Sequence, residues 1–272
     1  MSDTNATATQ TAENATAAAS ATASAPTATS ATAARGRRHS ATFVIMRREL
    51  AAYFASPIAY IVSGLFLVFS GILFFNTFFL ANRAELRNFF SLLPITLSFF
   101  VPALTMRMIA EEKRVGSLET LLTLPVTAVN VVLGKYLAAS LSGAVLLVPT
   151  LCYAVTCCIF GSPDMGPMIG GYAGALFLIA AFSAIGLFAT SVTKNQIIAF
   201  FVAFTICIVL TMIGNFLVFL PAGLVSFLSY FSAYDHFVQV SRGIIDSRDL
   251  IYFASVAALF LVLTVQAVQK DR

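Results

Sequence analysis

Four consecutive charges, Glu111-Glu112-Lys113-Arg114, open the densest polar stretch of the chain and run on through Val115-Gly116-Ser117-Leu118-Glu119. The rest of the 272-residue chain is far from this character, with 59% apolar and 10% charged residues overall. Each charge costs about 2.5–3.5 kcal/mol at a bilayer centre, so this knot must lie outside any hydrocarbon layer. Charges of both signs at this density suit contact with a second protein. They do not suit hydrolysis: no G-x-x-x-x-G-K-[ST] phosphate loop, no H-E-x-x-H and no G-x-S-x-G occurs. The two histidines, His39 and His236, lie far apart, and His236 beside Asp235 reads as a surface hydrogen-bonder. Cys152, Cys157, Cys158 and Cys207 fall in apolar segments without C-x-x-C spacing and read as packing residues. The chain is therefore expected to be no enzyme and to hold no cofactor or metal of its own.

Beyond Gly116 the run continues Thr120-Leu121-Leu122-Thr123-Leu124-Pro125. It predicts a short helix over about 115–124, with Ser117 as N-cap, Glu119 in the first turn and Pro125 as the stop. Val115, Leu118, Leu121 and Leu122 would share one apolar stripe, which makes the helix amphipathic and lays it parallel to a membrane.

The elements that must position this knot are long apolar runs. A span needs roughly 20 apolar residues, and six candidates occur at about 58–80, 89–109, 129–160, 168–190, 197–220 and 250–268. The fold class is all-α, a polytopic membrane protein with six transmembrane helices. The run over 129–160 is longer than needed, so Lys135 is expected at the interface, with the span proper starting near Leu137. With both termini inside, twelve of the 16 Lys and Arg fall on the inner side and four outside. The positive-inside rule therefore puts the knot in the cytosol, and the membrane is expected to be the inner (plasma) membrane. The net charge of +4 reflects that bias and does not argue for nucleic acid.

Residues 1–39 are rich in Ala, Thr and Ser, a composition that predicts a disordered cytosolic tail. Residues 40–272 form the six-span domain. An interfacial helix is expected over 40–56, with Phe43, Met46, Leu50, Tyr53 and Phe54 on one face and Arg47, Arg48 and Glu49 on another, among lipid headgroups. Pro94 and Pro102 should bend the second span. An outer hairpin over about 221–249 is expected to hold a short apolar segment, Ala222–Tyr234, and a turn capped by Asp235 and ended by Gly243.

The spans are read as free of Asp and Glu, so nothing in them couples an ion gradient, and energy must enter from outside the chain. The run Glu111-Glu112-Lys113-Arg114-x-Gly116-x-Leu118-Glu119-x-Leu121-Leu122-x-x-Pro125-Val126 resembles the loop of type-2 ABC exporter permeases. Arg48-Glu49-Leu50-x-x-Tyr53-Phe54-x-Ser56-Pro57-Ile58-Ala59-Tyr60, Asn195-Gln196-Ile197 and Arg242-Gly243-Ile244-Ile245-Asp246 are similar to the gliding-motility-associated permease subunits. This resemblance implies a permease that pairs with a second permease subunit, as a homo- or heterodimer, and with separate ABC ATPase subunits that bind ATP and Mg. It makes the loop between the second and third spans the coupling helix. On this chain the coupling residues it implies are Glu112, Lys113, Arg114, Gly116, Ser117 and Glu119, with Thr193, Lys194 and Asn195 as a secondary contact. Two other readings stand beside it: a non-transporting module that uses the ATPase to pull on an outside partner, and an ion-coupled secondary carrier.

Overall fold

Long apolar segments interrupted by proline, glycine and short polar turns fold into helices, and the computed structural model contains no strand among the residues it describes, 28–81, 86–116, 127–161, 164–216, 230–243 and 246–270. The helices are α1 Ala28–Ala55, α2 Pro57–Ala81, α3 Arg87–Thr105, α4 Ala110–Val115, α5 Ala128–Leu147 and α6 Leu151–Phe160. They continue with α7 Met165–Val192, α8 Gln196–Phe216, α9 Ala233–Ser241 and α10 Ser247–Lys270. Six stretches among them are long and apolar enough to cross a membrane, with α3–α4 and α5–α6 each counting as one. Contacts divide the chain into Met1–Ser40 and Ala41–Arg272.

Helix α1 begins at Ala28, twelve residues before the expected interfacial helix and inside the stretch expected to be disordered. Alanine-rich sequence explains this, since alanine has the highest helix propensity. Residues 1–27 lie outside the described residues. At Ser56 the chain turns, and Pro57 opens α2 at the position where a missing N–H costs nothing.

Helix α7 is the centre of the bundle. Of its most apolar window 72% is buried, against 22% for α2, α8 and α10, which face outward with residues such as Ile61, Val68, Phe201 and Leu259. Small residues let other helices come close, as expected where lipid removes the hydrophobic drive for helix association. A Cβ on Gly171 would lie 2.5 Å from the ring of Phe90 in α3, and one on Gly186 would collide with Thr105 Oγ1. Helix α9 packs against the N-terminal part of α7, where Gly170, beside Gly171, meets the Val240 carbonyl.

The long third run breaks in two. Pro149 has no N–H to give the Val145 carbonyl, which is met by Val148 N at 3.2 Å in a tighter turn. Thr150 Oγ1 then donates to the Leu147 carbonyl at 2.7 Å, and Tyr172 Oη donates to the Thr150 carbonyl at 2.8 Å. In this way the carbonyls of Val145, Leu147 and Thr150 keep donors within an apolar layer. Pro94 and Pro102 both sit inside α3, and Ser98 Oγ donates to the Pro94 carbonyl at 2.8 Å and pairs with Thr211 Oγ1 of α8 at 2.9 Å.

Candidate functional site

The knot itself is partly helical. Ile109, 1% exposed, roots α4 in a small core with Ala128, Val132, Leu187 and Val268, where α5, α7 and α10 have their ends, and Ala110 beside it is fully buried. Glu111 and Glu112 fill the first turn and Lys113 and Arg114 the last, complementing the helix dipole. Gly116 then takes φ 77°, the left-handed conformation that stops a helix and suits glycine. The expected helix over about 115–124 is corrected at its start: Val115 closes α4, and Gly116 ends it rather than lying within a helix. Ser117, Glu119 and the rest of that segment lie outside the described residues.

Lys135 is tied to this short helix. Its place near the start of a long run predicts an interfacial position, yet it is 1% exposed. An ammonium has three N–H donors, and each has an acceptor: Glu112 Oε1 at 2.9 Å, Glu49 Oε1 at 3.1 Å and the Met108 carbonyl at 2.8 Å. Close packing creates this meeting, because a Cβ on the neighbouring Gly134 would lie 2.8 Å from Ile45 Cγ2 and 3.0 Å from the Thr42 carbonyl of α1. One side chain of α5 thus ties α1 to α4.

Other bonds extend the tie. Lys113 donates its ammonium to the Ser191 carbonyl in the last turn of α7, where a cation meets the helix dipole's negative end. Arg107 grips Glu111 with two bonds, Nε to Oε2 at 2.9 Å and Nη2 to Oε1 at 3.1 Å. These bonds and the guanidinium charge hold the Glu111 carboxyl below its ordinary pKa. Arg114, Val115 and Gly116 face solvent. The secondary set divides by role. Thr193 Oγ1 accepts from Asn195 N at 3.1 Å and Asn195 Oδ1 accepts from Ile197 N at 2.9 Å, so both shape the corner into α8, while Lys194 is exposed.

The opposite end has its own polar pair. Ser232, not Asp235, caps α9, accepting from Asp235 N at 3.2 Å, and Gly243 ends the turn at φ 84°. His236 meets Asp249 rather than its sequence neighbour: Nδ1 lies 2.6 Å from Oδ1, and the ring stacks on Tyr252 at 4.2 Å. Asp249 is 1% exposed. It is a buried acid one residue before the sixth expected span, in the first turn of α10. The apolar segment expected at 222–234 is described only from Tyr230 onward.

Among the described residues no group of His, Cys, Asp and Glu could hold a metal ion. Cys157 and Cys207 are buried, Cys152 and Cys158 exposed on apolar helix faces, and all four are free thiols. Sequence reasoning missed Lys135, Glu49 and the Asp249 pair as buried partners. Lys135, a lone charge in an apolar run, was the available signal.

The arrangement can transmit displacement: a short polar helix rooted in the bundle and ionically tied to two neighbouring elements. No curated protein matches the chain. The family described as ABC-2 family transporter protein matches residues 1–269, and the chain, a membrane permease component of an ABC transporter, belongs to that family.

Proposed function

We propose that this chain is the permease subunit of an ATP-driven exporter, moved by a separate ATPase that presses on the segment between α3 and α5. The observation that carries the reading is the Lys135 tie, supported by the family membership. A push on α4 at Arg114 and Gly116 reaches α1 through Glu112 and Glu49, α5 through Lys135 and α7 through Lys113. Helices α5 and α7 belong to different spans and α1 to none of the six, so a local push becomes a relative motion of helices. Substrate would cross a cleft between this permease and a second copy or a related chain, while ATP and Mg stay in the partner. The knot and both termini face the cytosol of the inner membrane in this reading. Kinship with gliding-motility-associated permeases rests on the motifs at 48–60, 195–197 and 242–246.

Reconstitution of the chain with and without its cognate ATPase tests the reading. Permease-stimulated ATP hydrolysis should appear only in the combination, and Arg114→Glu should reduce it severalfold with insertion intact. Proton- or sodium-driven flux by the chain alone would sink the proposal.

A further inference from the structure

A neutral imidazole carries a proton on only one of its two ring nitrogens. Both nitrogens of His236 face acceptors. Nδ1 lies 2.6 Å from Oδ1 of Asp249 in α10, and Nε2 lies 3.3 Å from the Tyr230 carbonyl. Neither contact is attractive without a proton in it, so the arrangement holds two: one between Nδ1 and Oδ1 and one on Nε2. A neutral ring beside an ionised Asp249 keeps its proton on Nδ1, and its Nε2 lone pair then confronts the Tyr230 oxygen.

The second proton fastens a piece of backbone. Tyr230 and Phe231 form the turn before α9, and the Tyr252 hydroxyl of α10 holds the same turn by donating to the Phe231 carbonyl at 2.8 Å. The Tyr252 ring also stacks on His236 at 4.2 Å, and an aromatic face attracts a cationic ring more than a neutral one. The other titratable groups near α9 leave the ring to Asp249. A Cβ on Gly214 of α8 would lie 3.0 Å from Asp235 Oδ2, so that carboxylate turns to α8. Tyr234 is half-buried, and Arg87, Asp164, Arg242, Asp246 and Arg248 are exposed. Helices α7 and α8 contain no charged residue. They bring only the Tyr172 hydroxyl, which donates to the Thr150 carbonyl, and the buried thiol of Cys207.

We propose that His236 is a proton-operated pin: with two protons on the His236–Asp249 pair the turn at 230–231 is fixed to α9, and loss of one of them to water frees it. Histidine is the side chain that changes charge between about pH 5 and pH 8. The turn is therefore held on the acid side of that window and released on the alkaline side. The pin makes the end of the bundle opposite α4 responsive to the pH of the compartment it faces. The inference stands on α9, α10 and the turn between them and Tyr230, and is independent of the ATPase assignment.

The chain has no tryptophan, and Tyr230 is 68% exposed, so Tyr230→Trp places a single reporter on the turn and keeps its carbonyl. Its fluorescence anisotropy is read on the full-length chain in lipid nanodiscs between about pH 5 and pH 8. Anisotropy should be highest at the acid end and fall through one single-proton transition as pH rises, with helical circular dichroism constant. His236→Gln in the reporter chain, neutral at every pH, should abolish the transition. Asp249→Asn keeps the imidazole, removes the negative charge beside it and should move the midpoint to lower pH. A flat or rising profile in the reporter chain, the same transition in His236→Gln, or an unmoved midpoint in Asp249→Asn overturns the proposal. Loss of helix in step with the anisotropy change overturns it in favour of general unfolding.

Discussion

Replacing Lys135 by Met keeps the aliphatic volume and removes the charge. Glu49 and Glu112, with side chains only 15% and 17% exposed, then lose the cation they share, and the Met108 carbonyl loses a donor. Removing one partner of a buried ion pair costs about 3–5 kcal/mol. The partial exposure of both acids puts this case at the lower end, about 3 kcal/mol. At about 2–4 °C per kcal/mol for a chain of this size class, Tm should fall by about 6–12 °C. A thiol-reactive dye reads the transition, because buried Cys157 and Cys207 become reactive only on unfolding. Adding Glu49→Gln and Glu112→Gln removes the stranded charges and should recover most of the loss, since a neutral replacement of a buried ion cluster is close to isoenergetic. Coupling to the ATPase should stay impaired in that triple variant. A Tm within about 2 °C of wild type for Lys135→Met, or no recovery in the triple variant, would refute the reasoning.

The packing leads to three further outcomes. Gly171→Leu should cost about 1–3 kcal/mol by driving α7 from α3 at Phe90, seen as a lower Tm, and Phe90→Ala in the same chain should restore part of it. His236→Leu strands the carboxylate of Asp249 and should destabilise by about 3 kcal/mol, with Asp249→Asn in that background recovering stability; equal Tm for the single and double variants would contradict the pairing. In a cysteine-free background, Thr120→Cys should resist an impermeant outside thiol reagent in intact cells, whereas Ser241→Cys should react; the opposite pattern inverts the orientation.

Much of the architecture could be read from the chain because the bilayer imposes a simple rule. Runs such as Met165–Val192 can satisfy their backbone only as helices, so composition predicts the element. Pro149 escaped that reading: the run is apolar on both sides of it, and the break is visible only in the tighter turn that gives the Val145 carbonyl a donor from Val148 N and in the bonds from Thr150 and Tyr172 beside it. Lys135 escaped for a related reason. A single lysine near a span end ordinarily snorkels, and only the approach of α1 over Gly134, with α4 beside it, supplies the two acids, Glu49 and Glu112, that pair with it. The side chains of Thr193 and Asn195 shape the α7–α8 corner, a local cap that the Thr-x-Asn spacing already encodes. The Asp249 pair joins residues 13 apart on different helices, which periodicity does not reveal.

In the proposed arrangement a separate ATPase engages this chain at the segment after α4. Affinity purification of the chain from its native membrane, in parallel with Arg114→Glu and Glu119→Arg, measures that engagement. An ATP-hydrolysing subunit should accompany the wild type in stable proportion and should be lost, with normal membrane insertion, from both charge reversals. An equal amount of that subunit with all three chains, or its absence from the wild type, would contradict the coupling assignment.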